Sequence, residues 1–218
     1  MRKRKWMIGI GILVVCVLTG VLAMFCLKQY RVKQAVRIYQ EFIEGKRTAG
    51  GWNIKEISTP TGEPERRDET TYAIADVTGD GIPELHILGA RAEYVIFSVK
   101  DGEMYQCGYF VCNMCSYSPL KNGGFLYHAN DRHEYGEFYE YFELDSAGES
   151  TNEVFFSWQS KEDDFWTYQD DDIYEFDGQT CTYEEWYALT RKYLRTTMGG
   201  GEAVRDAVEW TRYCTFKN

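Results

Sequence analysis

An uncharged, apolar run near the amino terminus, residues 6–27, constrains this chain more than any other feature. As an α-helix it would be about 33 Å long, which is enough to cross the hydrocarbon core of a membrane. Four basic residues, Arg2 to Lys5, precede it, and such residues stay on the cytoplasmic side. We therefore predict a cytoplasmic basic tip at residues 1–5, a transmembrane signal-anchor at residues 6–27 and an extracytoplasmic remainder.

The alternative for the same segment is a signal peptide that is removed after export. Residues 21–23, Val-Leu-Ala, offer a cleavage sequence before Met24. The apolar run is long for the hydrophobic part of a signal peptide, which usually has about 7–15 residues. The favoured prediction is therefore a single-pass membrane protein with its amino terminus in the cytoplasm.

Charge is distributed unevenly along the chain. The first 34 residues contain seven basic side chains and no acidic one, and all 34 Asp and Glu residues follow them. A domain this acidic repels the phosphates of nucleic acids and attracts cations. We therefore exclude nucleic acid as a partner and expect the membrane, a divalent cation and a cell-envelope component or another protein.

Residues 72–87 combine two strand-like segments with an acidic turn. Four oxygen-bearing side chains occupy positions 1, 3, 5 and 9 of a calcium-loop pattern: Asp76, Thr78, Asp80 and Glu84. Gly81 takes position 6, where the backbone must turn sharply. Position 12 is Ile87 rather than the Glu of an EF-hand, so an EF-hand is disfavoured.

These four residues are the predicted metal ligands, and calcium is the predicted ion, since it takes 6–8 oxygen ligands. The alternative is an ordinary hairpin turn, for which Asp, Thr and Gly are also typical. The Thr78 hydroxyl is a poorer ligand than a carboxylate. We therefore expect modest affinity.

The remaining pattern predicts an α+β fold, an antiparallel β-meander flanked by helices and preceded by one transmembrane helix. Apolar residues at helical spacing predict a helix from Tyr30 to Glu44, and Gly and Pro predict a loop over residues 46–69. Residues 28–70 are thus a juxtamembrane helix and loop. Regularly spaced strands and turns follow up to Phe176.

Two helices are predicted near the carboxyl end of the chain. Thr182 and Glu185 have the spacing of a capping box, and apolar residues at helical spacing follow them. A shorter helix is predicted around residues 203–211, after three consecutive glycines. Residues 71–218 therefore form the predicted extracytoplasmic β-rich domain with C-terminal helices.

Two segments carry a resemblance to known proteins. Residues 72–85 read Tyr-Ala-Ile-Ala-Asp-Val-Thr-Gly-Asp-Gly-Ile-Pro-Glu-Leu, and residues 182–186 read Thr-Tyr-Glu-Glu-Trp. Both resemble segments of exported Firmicutes proteins without an established activity, in which Asn is usual where Thr78 stands. The first is also similar to the calcium-type loop of FG-GAP repeats. The resemblance implies an extracytoplasmic domain with a calcium loop and implies no reaction.

Two further groups of residues are weaker candidates for a site. The first group has the sequence spacing of a zinc finger: Cys112, Cys115, His128 and His133. Because glycines stand where the helix of such a finger should begin, a zinc finger is disfavoured. The five cysteines outside the membrane are an odd number, so at least one thiol stays free or pairs between chains.

Residues 162–177 mix acidic and aromatic side chains, which suits a glycan or cation site but also a solvated loop beside half-buried strands. No common catalytic motif occurs. The predicted function is a calcium-stabilised binding or structural module of unknown ligand, and an enzyme is disfavoured. The alternative is a protein that binds or hydrolyses cell-envelope glycan with acidic and aromatic residues.

Overall fold

A computed structural model describes residues 2–58, 70–89, 93–111, 115–121, 123–131, 136–145, 148–160, 172–196 and 202–212. Its helices are α1 (Arg2–Ile43), α2 (Ile54–Ser58) and α3 (Tyr183–Thr190). The strands of the first half are β1 (Thr71–Ala75), β2 (Glu84–Leu88), β3 (Glu93–Lys100), β4 (Glu103–Val111), β5 (Cys115–Pro119) and β6 (Phe125–Asp131). Those of the second half are β7 (Gly136–Leu144), β8 (Ser150–Gln159), β9 (Ile173–Phe176), β10 (Gln179–Cys181), β11 (Leu194–Thr196), β12 (Glu202–Val204) and β13 (Thr211–Arg212).

The amino-terminal helix is longer than the sequence predicts. The predicted membrane segment and the predicted helix from Tyr30 to Glu44 form one continuous helix, α1, because Lys28 and Gln29 between them are good helix formers. It ends before Gly45, which has the left-handed φ of +72°. Between Ile12 and Leu27, large apolar side chains are 49–71% exposed. The described helix from Gly11 to Ile43 is long and apolar enough to span a membrane, and a signal sequence has the same properties.

The first sheet has five antiparallel strands in the order β13-β1-β2-β3-β4. Consecutive residues of its central strands, β2 and β3, are buried. Because alternate residues of a strand point to opposite sides, both faces of these strands are covered. Leu85 and Phe97 pack against the end of α1 around Tyr39 and Phe42. The structure also places α2 inside the segment predicted to be a loop, and Ile54 and Ile57 of α2 join this core.

The second sheet has six antiparallel strands in the order β10-β9-β8-β7-β6-β5. Phe125 and Phe142 face the first sheet, where they pack with Tyr94 and Ile96. The opposite face is aromatic and is covered by α3 through Trp186. The layers therefore run from α1 through the two sheets to α3, which confirms the α+β class with an antiparallel meander.

The two predicted helices near the carboxyl end have different outcomes. The capping box is confirmed: the Glu185 N–H donates to Thr182 Oγ1, and the Thr182 N–H donates to Glu185 Oε2 at 3.0 Å. The shorter helix around residues 203–211 is wrong, because β12 pairs with β11 and β13 pairs with β1. Asp206 between them has a φ of +57°, which no α-helix tolerates.

Candidate metal centre

The acidic segment connects two neighbouring strands of the first sheet. Ala75, the last residue of β1, pairs with Glu84, the first residue of β2. The connecting turn contains Gly79 and Gly81 with φ angles of +73° and +80°. Glycine adopts this left-handed region without the penalty that a β-carbon brings. The turn therefore doubles back, and side chains that are distant in an extended chain meet on one side.

Three of the four predicted ligands come together in this turn. The side-chain oxygens of Asp76, Asp80 and Glu84 lie within 4.8 Å of one another. Glu84 is only 1% exposed, Asp76 is half-buried and Asp80 is exposed. Of the residues that the structure describes, these three form the one group of three or more metal-ligating side chains whose ligand atoms lie this close together. The group is thus anchored in the core at Glu84 and open to solvent at Asp80.

Backbone hydrogen bonds orient the two aspartates. The Gly79 N–H donates to Asp76 Oδ1 at 2.8 Å, and the Ile82 N–H donates to Asp80 Oδ1 at 2.6 Å. Each bond uses one oxygen, and within the described part of the chain Oδ2 of either carboxylate has no hydrogen-bond partner. Both aspartates therefore keep an oxygen for a further ligand.

Glu84 is held in place by its own turn. The Val77 N–H donates to Oε2 at 2.9 Å, and the Thr78 hydroxyl donates to Oε1 at 3.2 Å. Thr78, which the sequence predicts to be a ligand, is thus engaged with Glu84. Burial raises the pKa of the Glu84 carboxyl to about 7, and the charges of Asp76 and Asp80 raise it further, against the bond from Val77. A cation at this point would offset that concentration of negative charge.

The first helix reaches the acidic turn from the side. The Tyr39 hydroxyl donates to the Pro83 carbonyl oxygen at 2.9 Å, and burial raises the pKa of this tyrosine. The Lys28 side chain fills the space beside Gly81, where a β-carbon would collide with Nζ. The helical spacing of apolar residues indicates that Tyr39 is buried. No feature of the sequence indicates that Tyr39 and Lys28 contact the loop.

A buried histidine lies two residues beyond Glu84. His86 has no exposed surface; its Nδ1 is 2.9 Å from the Tyr94 hydroxyl and its Nε2 is 3.3 Å from the Ala75 carbonyl oxygen. Burial lowers the pKa of His86 to about 4, so the imidazole is neutral at pH 7. Both ring nitrogens contact protein groups, which leaves oxygen atoms as the donors of the cluster. Oxygen donors fit hard cations such as calcium and magnesium.

The structure describes two of the four residues of the weaker zinc prediction, Cys115 and His128, and does not bring these two together. Cys112 and His133 lie outside the described residues. Cys115 pairs with Ala129 across β5 and β6, so its side chain and that of His128 point to opposite faces of the sheet. These two residues therefore do not contribute to one site. Cys107, Cys115 and Cys181 are free thiols.

Most of the acidic and aromatic segment, residues 161–171, also lies outside the described residues. Of its described part, Tyr174 is 1% exposed and Phe176 packs against the same aromatic core. Asp172 accepts a hydrogen bond from the indole N–H of Trp158 at 2.9 Å. Asp172, Tyr174 and Phe176 therefore support the second sheet.

Comparison of the chain with family models, with curated proteins and with solved structures gives no match. The resemblance to exported Firmicutes proteins therefore stays a prediction.

Proposed function

We propose that this protein is a membrane-anchored module whose extracytoplasmic domain binds calcium at Asp76, Asp80 and Glu84. The observation that carries the proposal is the proximity of three carboxylates within 4.8 Å, with one of them buried. Two oxygen atoms on opposite sides of a calcium ion, each about 2.4 Å from it, are separated by about 4.8 Å. The oxygens of the turn thus have a spacing that one calcium ion can bridge.

The expected role of calcium is to stabilise the junction of α1 with the first sheet. The turn begins at the end of β1, and through Pro83 it contacts Tyr39 in the buried part of α1. A cation offsets the repulsion among the three carboxylates only in the folded chain, where they meet. Ligands that bind the folded state alone raise stability by mass action. Such a role requires no chemical reaction, and we favour a binding or structural module over an enzyme.

An extracytoplasmic position of the domain agrees with this role. The four basic residues before the apolar run favour a cytoplasmic amino terminus. Calcium modules that work outside cells have Kd values of about 0.1–1 mM, so a site of modest affinity suits that side of the membrane. Protease added to intact cells should therefore digest the acidic domain and leave an anchored stub. A fully protected domain would contradict this topology, and release of a soluble domain starting near Met24 would identify a cleaved signal peptide.

Thermal unfolding of the full chain in detergent micelles tests calcium binding directly. At a calcium concentration roughly 100 times the Kd, stability should rise by about 2.7 kcal/mol over the metal-free protein. Asp80→Asn removes one ligand charge from an exposed position and should abolish this increase. Asp177→Asn is the matched control, because Asp177 is also an exposed turn residue but lies outside the cluster. An unchanged melting temperature up to about 100 mM calcium, which is roughly 100 times the weakest Kd of such modules, would contradict the proposal, as would equal losses in both variants.

A further inference from the structure

A cleft of about 740 Å³ lies beside the acidic turn. One wall is the segment of α1 from Leu27 to Ala35, and the other is the turn between β3 and β4 with Lys100 and Asp101. Asp80 also lines it, so one carboxylate belongs to both the candidate metal centre and the cleft. An ion bound at the turn would therefore face the cleft on its open side.

The cleft lies at the level where the apolar run ends. Leu27 is the last residue of that run, and Leu27 and Tyr30 both line the cleft. In a membrane-spanning helix the residues just past the apolar segment lie among lipid headgroups, in an interfacial region several ångströms thick on either side of the hydrocarbon core. Tyrosine is enriched at that level. Lipid headgroups and the cleft are thus neighbours if α1 stays in the membrane.

The charges of the cleft depend on the metal. Arg31 and Lys100 line it with two positive charges, and Asp80 and Asp101 with two negative charges. Within the described residues, neither Arg31 nor Lys100 has a hydrogen-bond or ion-pair partner. Asp76 and Glu84 share this cation with Asp80, and Lys28 lies beside Gly81, so over these seven groups a divalent cation changes the net charge from about −1 to about +1. The cleft then becomes a site for an anion that carries oxygen donors.

We propose that this cleft binds the phosphate group of an anionic phospholipid, which contacts the loop-bound calcium and the side chains of Arg31 and Lys100. The proposal rests on the proposed function, since it requires calcium at the acidic turn. Phosphate oxygens are hard ligands that suit calcium, and a guanidinium binds phosphate through paired N–H donors. Lys28, beside Gly81 on the same side of α1, supplies a third positive charge near the turn.

Calcium binding to the full chain in nanodiscs tests this assignment. Equilibrium dialysis with radioactive calcium is compared in discs of phosphatidylcholine alone and in discs that contain phosphatidylglycerol, with empty discs subtracted. Because coupling between two ligands is reciprocal, the anionic lipid should tighten calcium binding by roughly tenfold. Arg31→Gln and Lys100→Gln should each lose most of this gain.

Lys33→Gln is the matched control for the general attraction of calcium to an anionic surface. Lys33 lies two residues beyond Arg31 on the same helix, is exposed and does not line the cleft. It should keep the full gain. Equal losses in Arg31→Gln and Lys33→Gln would overturn the proposal, as would no gain in the wild type.

Two further comparisons distinguish a lipid phosphate from a dissolved phosphate, and failure of the cleft proposal from failure of calcium binding itself. The soluble headgroup glycerophosphoglycerol, added to phosphatidylcholine discs, should give no gain. An Arg31-dependent gain from it would overturn the lipid as the source and assign the phosphate to solution. If calcium binding is lost in Asp80→Asn but has the same affinity with and without phosphatidylglycerol, the cleft proposal alone is overturned. Absence of calcium binding in both kinds of disc would overturn the proposed function as well.

Discussion

The two sheets each bury a carboxylate, and they surround it differently. In the second sheet, Asp172 accepts hydrogen bonds from the Trp158 indole at 2.9 Å and the Tyr174 hydroxyl at 3.5 Å. In the first sheet, Glu84 also accepts two bonds, but it faces the further carboxylates of Asp76 and Asp80. The donors that the structure describes around Asp172 are neutral, whereas Glu84 lies beside two further carboxylates, which concentrate negative charge. Among the described residues, the group that could hold a cation therefore lies in the first sheet, and Asp172 supports the second sheet.

The difference extends to the two cores. The first sheet packs aliphatic residues of β2 and β3 against α1, and it places His86 and Glu84 close to the turn. The second sheet packs aromatic rings against α3, with Trp186 between Phe156 and Tyr174. Variants in the second core should therefore lower stability without changing the response to calcium, and variants near the turn should change that response.

The largest expected effect is that of Trp186→Ala. Trp186 has no exposed surface, and loss of a buried indole typically costs about 3–5 kcal/mol through lost burial and a cavity. Urea unfolding of the full chain in micelles measures this. Leu189→Ala on the same helix is the control, since Leu189 is 43% exposed and should cost under about 1 kcal/mol. If Trp186→Ala also removed stabilisation by calcium, the two sheets would not be separable as described.

The stability of the metal-free protein should depend on pH through two buried ionisable groups of the first sheet, Glu84 and His86. The pKa of Glu84 is raised from 4.5 to about 7, so its contribution to stability is present below pH 4.5 and lost as pH rises through 7. The pKa of His86 is lowered from 6.5 to about 4, so its contribution is present above pH 6.5 and lost as pH falls through 4. These opposite effects should nearly cancel between pH 4.5 and 6.5.

Glu84→Gln removes one side of this balance. Relative to the wild type, the variant should gain about 3 kcal/mol as pH rises from 4.5 to 7, because it no longer ionises a buried carboxyl. Its own stability should fall with acid below pH 6.5, and adding His86→Gln should flatten that fall. Denaturant unfolding at a series of pH values in metal-free buffer gives these differences. A constant difference between Glu84→Gln and the wild type would contradict the environment assigned to Glu84.

The smallest expected effect is that of Thr182→Ala, at the start of α3. It removes the acceptor of the Glu185 N–H and should cost about 1 kcal/mol. Thr182→Ser keeps the hydroxyl and should stay near the wild type. Calcium affinity should be equal in both variants, because α3 contacts the second sheet. A change of calcium affinity in Thr182→Ala would connect the helix to the distant turn and break the contrast between the sheets.

Local patterns in the sequence account for the elements and for the proximity of the three carboxylates. Asp76, Asp80 and Glu84 are predictable as a group because they belong to one short hairpin, in which spacing along the chain determines position in space. The capping box of Thr182 is predictable for the same reason. Such signals depend on neighbouring residues, which stay neighbours in any fold of the chain.

Contacts between distant segments were decided only by the tertiary structure. Tyr39 bonds to Pro83 and Lys28 covers Gly81 because α1 packs across the first sheet, which no local pattern encodes. The apolar residues at 203, 204, 207 and 208 fit a helix, yet β13 pairs with β1, and β12 pairs with β11. Short strands have little preference of their own, so their state follows from the partner that supplies the hydrogen bonds. The sequence by itself thus determined the apolar helix, strands β1–β4 and β6–β9 and the acidic turn. Packing decided that Tyr39 bonds to Pro83 and that the turn opens onto a cleft beside α1.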